Sequence, residues 1–161
     1  MKRNVLLSIA IAATATIALG AKITAPLAVS AKVQGNCVVT GGSLNFGVYD
    51  PLAASDLNGT GTFTIACTKG AIATIDLDNG LNSSGGWRQM LGGGDLLKYA
   101  LYKDAARTQV WGTALTGGTA ATYAAPSKTA ATLTVYGLIP QAQDVIIADP
   151  YSDSVTITVN Y

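Results

Sequence analysis

The sequence predicts an all-β protein with an immunoglobulin-like β-sandwich, and three observations support this prediction. Residues 151–161 alternate with the period of a half-buried strand, which places Val155, Ile157, Val159 and Tyr161 on one face. Residues 22–33 alternate in the same way, with one face formed by Ile23, Ala25, Leu27, Val29, Ala31 and Val33. All nine acidic residues are Asp. Because Asp favours turns whereas Glu favours helices, this composition indicates short strands joined by tight turns.

The first residues have the pattern of a secretion signal. Lys2 and Arg3 precede a short apolar stretch, and Ala18 and Gly20 would occupy the small-residue positions of a cleavage site. We therefore expect a signal peptide at residues 1–20. The two alternatives are a later cleavage site at residues 29–31 and a membrane anchor. The apolar stretch is short for a membrane-spanning helix. The remaining chain of about 140 residues is long enough for one domain with its own core.

The charge balance excludes one class of partner. The chain has ten Lys and Arg against nine Asp, and loss of Lys2 and Arg3 leaves eight against nine, a net charge of −1. The sequence contains no basic cluster. Because nucleic-acid binding depends on clustered positive charge, we expect no nucleic-acid partner.

Cys37 and Cys67 are the two cysteines of the chain. An exported protein reaches a compartment that permits disulfides, where two cysteines allow one intramolecular pairing. Closing a loop of about 30 residues would stabilise the fold by about 3–4 kcal/mol. The alternative is a pair of free, buried thiols.

Strand-like runs with turn signals between them fill the rest of the chain. We expect strands at residues 37–46 (broken by Gly41-Gly42), 60–67, 71–78, 96–103, 129–136 and 153–161, with a short edge piece at 110–112. Turns are expected at residues 58–59, 79–80 and 137–140, and a Gly- and Ser-rich connection at residues 81–95. Six or seven strands with regular turns favour an immunoglobulin-like sandwich.

The residues that usually perform catalysis are scarce. The chain has no histidine, which removes the usual Ser-His-Asp and Cys-His arrangements and the commonest metal ligand. Residues 76–80 lack the ligand series and final Glu of an EF-hand loop, and we interpret them as a strand end with a turn. Residues 92–95 lack the Lys-Ser/Thr of a phosphate loop and fit a hairpin tip. We therefore expect no enzyme, no metal and no cofactor.

Aromatic residues and one arginine offer weaker signals of binding. A sugar-stacking face is one interpretation of the set Trp87, Trp111, Tyr49, Tyr99, Tyr102 and Tyr123. In a sandwich of this size such residues more commonly belong to the core or to interfaces. Arg88 is interpreted as a structural ion-pair member or a solvated side chain rather than a binding residue.

Several motifs, in order and spacing, resemble one family. They are residues 46–51 (FGVYDP), 67–70 (CTKG), 88–90 (RQM), 97–104 (LKYALYKD), 111–112 (WG), 135–140 (VYGLIP) and 151–153 (YSD). Residues 36–161 thereby resemble the spore coat protein U-like family, which includes the pilins of archaic chaperone–usher pili. One departure is Asp149-Pro150, where the family often has a glycine; proline cannot supply a positive φ, so this turn differs in shape.

The resemblance implies an incomplete sandwich that lacks its last strand. A hydrophobic groove beside the final strand would be filled first by a periplasmic chaperone. The N-terminal segment of the next subunit would then replace it at an outer-membrane usher. We accordingly expect residues 21–35 to hold a donor strand and residues 36–161 to form the pilin domain. The donor positions would be Ile23, Ala25, Leu27, Val29, Ala31 and Val33, and the acceptor strand would present Val155, Ile157, Val159 and Tyr161. The alternatives for residues 22–33 are a flexible leader and a first strand that pairs within its own sandwich.

These implications lead to one functional expectation with two alternatives. The chain is expected to be the shaft subunit of a pilus, exported through the periplasm to the cell surface for adhesion and biofilm formation. Its partners would be copies of itself, the chaperone, the usher and a tip adhesin. The alternatives are a spore-coat or other protective surface protein of the same fold, and a secreted carbohydrate-binding module.

Overall fold

The computed structural model describes residues 20–161. The expected signal peptide therefore lies almost wholly outside the described residues. Residues 20–32 belong to one unit and residues 33–161 to a second. The described part of the first unit contains no helix or strand, and all of its residues are exposed. Within residues 20–161 no helix is long and apolar enough to cross a membrane.

The second unit contains eight strands in two antiparallel sheets. The larger sheet has the order β1-β2-β7-β5-β4, formed by Cys37–Leu44 (β1), Leu57–Cys67 (β2), Ala131–Ile139 (β7), Asp95–Tyr102 (β5) and Arg88–Gly92 (β4). The smaller sheet has the order β6-β3-β8, formed by Ala121–Ala124 (β6), Ile72–Leu77 (β3) and Ile157–Asn160 (β8). A short 3-10 helix spans Ala114–Thr116. The predicted all-β, immunoglobulin-like sandwich is confirmed.

The core lies between the two sheets and follows the alternation of the strands. Phe63, Ile65 and Cys67 of β2 are buried, and so are Leu97, Tyr99 and Leu101 of β5. Ala73, Ile75 and Leu77 of the smaller sheet face them. Inward positions recur every second residue because successive side chains of a strand point to opposite faces.

Three expected features agree closely with the strands. β1 has an irregular register between Thr40 and Ser43, at the expected break. β3 ends at Leu77, and Gly80 then adopts a φ of +73° in the expected turn. The inward face of residues 97–101 on β5 is also as predicted.

Other expectations about strand limits are wrong. Residues 58–59 and 137–139 lie inside β2 and β7, where Gly59 pairs with Gly137, instead of forming turns. The expected connection at residues 81–95 contains β4, which makes a hairpin with β5. Gly93 and Gly94 form its tip with φ of +60° and +104°, the positive values that a tight two-residue hairpin requires. β6 was not predicted at all.

The sandwich has two distinct ends. At the first, which we call the root end, the N-terminal connection at Asn36 meets the loops at residues 68–71 and 125–130. At the second, the mouth end, the loops at residues 45–56 and 140–156 meet through Tyr49, whose hydroxyl donates to Pro140 O and accepts from Gln143 N. β2 runs between the two ends, a distance of roughly 33 Å.

Candidate functional site: a cleft between two edge strands

β1 and β8 are edge strands of different sheets and lie on the same side of the sandwich. Their Cα atoms approach within 8 Å, yet the two strands are not hydrogen-bonded to each other. A cleft of about 930 Å³ opens between residues 42–49 on the β1 side and residues 145–155 with Ile157 on the β8 side. β1 and β8 thus border a gap that leaves one backbone edge of each strand unpaired within residues 20–161, which makes the sandwich incomplete.

The cleft reaches the apolar core. Its lining includes Phe63, Leu97, Val135 and Ile139 from the larger sheet and Leu77 from the smaller one. An apolar segment placed in the gap would therefore bury its side chains against the core instead of leaving them in water.

Phe46 forms part of the cleft floor because two glycines make room for it. Gly59 and Gly137 are paired across β2 and β7, and a Cβ at these positions would lie 2.8 Å and 2.6 Å from the Phe46 ring. The ring also makes an edge contact with Tyr99, with centroids 6.2 Å apart. The glycines in these strands thus serve close packing and not a turn.

Arg88 connects the two sheets beside the cleft. The residue is 1% exposed, and its guanidinium donates from Nε to Asp78 O at 2.8 Å and from Nη2 to Leu77 O at 2.9 Å. Burial lowers the pKa of Arg88, and the neighbouring Tyr99, Asp78 and Asp153 oppose that shift. Because these carbonyls lie at the end of β3, Arg88 fixes β3 against β4. Of the two interpretations of Arg88, the solvated side chain is wrong: the residue is structural, and backbone carbonyls are its hydrogen-bond partners.

Two aspartates hold the start of β8. Asp153 accepts from Tyr99 Oη at 2.6 Å and from Leu81 N at 2.8 Å. Burial and this hydrogen bond raise the pKa of Tyr99 far above its ordinary value. Asp78 accepts from Gly80 N and Thr156 N. Partial burial alone would raise the pKa of Asp78, but these hydrogen bonds and the nearby Arg88 charge hold it below its usual value.

The predicted acceptor residues do not share one position. The strand expected at residues 153–161 is shorter, because β8 spans Ile157–Asn160, and Val155 and Tyr161 lie outside it. Val155 and Ile157 line the cleft, and Val159 packs on the core nearer the root end. Tyr161 is exposed, and its hydroxyl donates to Asn36 Oδ1 at 3.2 Å. Whether any of these residues accepts a donor strand stays a prediction.

The predicted donor residues form no strand in the single chain. Ile23, Leu27 and Val29 are 93%, 87% and 85% exposed, Ala25 and Ala31 are exposed, and Val33, which belongs to the second unit, is exposed as well. The alternation of residues 22–33 therefore corresponds to no intramolecular ladder among the described strands.

The N-terminal connection is fixed at the root end. Asn36 N donates to Thr68 Oγ1, and Thr68 N donates to Asn36 O at 2.8 Å. The next residue, Cys37, forms a disulfide with Cys67, its register partner on β2. The expected disulfide is present, and the alternative of two free thiols is not.

The remaining candidate residues divide between the core and a small second cavity. Trp87, Tyr99 and Tyr102 line this cavity, which has a volume of about 160 Å³. Trp111 is buried and donates from Nε1 to Ile75 O at 2.9 Å, so it offers no stacking face. Tyr99 is also buried, whereas Trp87, Tyr102 and Tyr123 are half-buried. Within residues 20–161 no group of three or more His, Cys, Asp or Glu is arranged to hold a metal ion.

The cleft wall opposite β8 was not predicted from the sequence. That wall consists of residues 42–49 on the β1 side. Phe46 stands in a motif of the resembled family, and this was the available signal. Its partner glycines were interpreted as turn residues, so the packing that defines the floor was not predicted.

Comparison with known proteins identifies the family. Residues 23–158 match the family described as "Spore Coat Protein U domain". The chain belongs to the spore coat protein U domain family. It is similar to Protein U of Myxococcus xanthus, with 34% identity over 158 residues that cover 88% of this chain and 86% of that protein.

A solved structure shares the fold of this spore coat U domain. It is the chaperone–tip adhesion subunit pre-assembly complex CsuC–CsuE from archaic chaperone–usher Csu pili of Acinetobacter baumannii. The match has a TM-score of 0.56 and 23% identity, and it covers 80% of this chain but 40% of the solved chain. This chain thus spans less than half of the solved one, and the likeness shows the sandwich fold.

Proposed function

We propose that this protein is a structural subunit that polymerises by donor-strand exchange. The observation that carries the proposal is the apolar cleft between two unpaired strand edges, in a chain with an exposed, alternating apolar segment at residues 22–33. A strand added to an open sheet edge gains backbone hydrogen bonds along its length, and pockets for alternate side chains fix its register. A head-to-tail contact of this kind does not close and gives a filament.

Burial of the donor side chains favours such an exchange. Ile23, Leu27, Val29 and Val33 are the large apolar donor side chains, and burial of each contributes roughly 1.5–3 kcal/mol, or about 6–12 kcal/mol gross. Association and ordering costs reduce this sum. An inserted strand leaves only when its whole ladder ruptures, so the polymer is held kinetically as well.

The setting of this polymer is proposed from the family and the shared fold. The subunit forms the shaft of a chaperone–usher pilus that serves surface attachment and biofilm formation. A periplasmic chaperone covers the cleft before assembly, an outer-membrane usher exchanges it for the next donor segment, and a tip adhesin ends the filament. A spore-coat role of the same strand exchange is the second candidate, because the family that the chain matches is described as "Spore Coat Protein U domain".

The test uses surface material from the bacterium that makes the protein. Unheated SDS gels should display a ladder of oligomers that collapses to monomer on boiling. Leu27→Asp should abolish the ladder, because it forces a charge into an apolar cleft. Thr24→Asp, on the opposite face of the same segment, is the matched control and should retain it. Deletion of residues 22–33 should also remove the ladder. Normal ladders from Leu27→Asp and from the deletion would reject the donor assignment.

Neighbouring genes separate the two settings. Chaperone and usher genes beside the gene for this protein favour the pilus. Their absence, together with heat-labile oligomers on spores, favours the coat.

A further inference from the structure

We infer that the mouth end of one subunit docks directly on the root end of a second copy. The mouth end contributes an apolar rim flanked by acidic residues, and the root end contributes two lysines that face those acidic residues. The inference rests on the proposed function, because it names a second contact between the same two subunits.

The apolar rim lies beside the cleft at the mouth end. Val48 and Leu52 are 90% and 94% exposed, and Ile147 is fully exposed. Val48 and Ile147 also line the cleft, so the rim is continuous with the proposed strand-binding surface. Three large apolar side chains in water at the edge of a binding cleft are typical of a surface that a partner covers.

The loops at the two ends carry opposite charges. The mouth-end loops, residues 45–56 and 140–156, contain five aspartates and no lysine or arginine: Asp50, Asp56, Asp144, Asp149 and Asp153. The root-end loops, residues 68–71 and 125–130, contain Lys69 and Lys128 and no acidic residue. Both lysines are exposed, as are Asp144 and Asp149. Complementary charge on opposite ends favours head-to-tail contact and disfavours contact between like ends.

The length of the connection brings these ends together. Val33 is the last donor position, and only residues 34–36 separate it from Cys37. Four residue steps span about 13 Å at most. The hydrogen bonds between Asn36 and Thr68 hold the end of this connection on the root end. The donor segment leaves the cleft of the acceptor subunit at the open mouth end. The short connection then places the root end of the donating subunit against the apolar rim of the acceptor subunit.

The test reverses the charge of each end in the full chain, at the gene's own locus. Lys69→Asp with Lys128→Asp reverses the root end, and Asp144→Lys with Asp149→Lys reverses the mouth end. Each pair should lower the yield of heat-labile oligomers by about tenfold, because like charges then face each other. The four substitutions together restore opposite charges, and the yield should return to within about twofold of the wild type.

Boiled samples measure the amount of subunit, so that loss of assembly is distinguished from loss of protein. If the reversed root end does not accumulate, Lys69→Gln with Lys128→Gln is used, with an expected loss of about threefold. Wild-type yields from both single-end variants would overturn the contact. So would a combined variant that assembles as poorly as the single-end variants, since the lysines would then serve another partner. A wild-type protein without any oligomers would instead reject the proposed function.

Discussion

Replacement of Arg88 by methionine should strongly destabilise the sandwich. The guanidinium makes two buried hydrogen bonds, to the carbonyls of Leu77 and Asp78. A hydrogen bond to a charged group contributes about 1.5–3 kcal/mol, so loss of both predicts a cost of about 3–6 kcal/mol. Domains of this size are stable by only about 5–15 kcal/mol, and the variant would lose a large share of that margin.

Urea unfolding of the full-length protein, followed by circular dichroism and by the fluorescence of its two tryptophans, Trp87 and Trp111, measures this cost. With a slope of about 1–3 kcal/mol per molar urea, the midpoint should fall by about 1 M or more. Lys98→Met is the matched control: it removes an equal charge from an exposed side chain on the adjacent strand and should change stability by less than about 0.5 kcal/mol. Equal midpoints for Arg88→Met and Lys98→Met would refute the assignment of Arg88 as the link between the sheets.

Three further predictions concern the same domain. The double substitution Cys37→Ser with Cys67→Ser opens a loop with a sequence separation of 30 and should lower the free energy of unfolding by about 3.6 kcal/mol. A reducing agent should produce the same loss in the wild type, and an unchanged urea midpoint would contradict the prediction. Gly137→Ala should displace the Phe46 ring on the cleft floor and lower stability by about 1–3 kcal/mol. Gly35→Ala is the control, because its new Cβ would lie in open space and should leave stability unchanged. Equal thermal midpoints for the two variants would exclude the proposed packing. The pKa of Asp78 is lowered from 3.8, so its contribution to stability is complete above about pH 5 and is lost as the pH falls through the lower folded-state pKa. Asp78→Asn should therefore flatten the acid-side fall in stability, and an unaltered pH profile would show that other groups cause it.

The strands with strong alternation could be predicted from the sequence, and those with small or polar residues could not. β5 and β8 place large apolar side chains on every second position, which local pattern alone reveals. β6 consists mainly of alanine and threonine, so its burial against β3 depends on the tertiary fold. β4 begins with Arg88 and Gln89, polar residues whose burial no local pattern indicates. Arg88 can be buried because the carbonyls of Leu77 and Asp78 accept its hydrogen bonds across the sheets.

The cleft shows the same division. Val155 and Ile157 on its β8 side are visible in the sequence as one face of a strand. The opposite wall depends on Gly59 and Gly137 meeting across β2 and β7, a register that no local pattern encodes. Both glycines were predicted to lie in turns because glycine and asparagine usually mark turns. In the structure they instead leave space for the ring of Phe46, which a Cβ at either position would contact.

The position of the disulfide has a mechanical consequence. Tension that arrives through residues 34–36 reaches the sandwich at Cys37, the first residue of β1. Pulling there would otherwise unzip β1 from β2 one hydrogen-bonded pair at a time, the weakest mode in which a ladder resists load. Because Cys37 is bonded covalently to Cys67 in the first pair of that ladder, the load passes directly into β2, a central strand. A subunit pulled from its N-terminus would thus carry the force through β2, which is hydrogen-bonded on both sides, while the edge strand β1 stays unloaded.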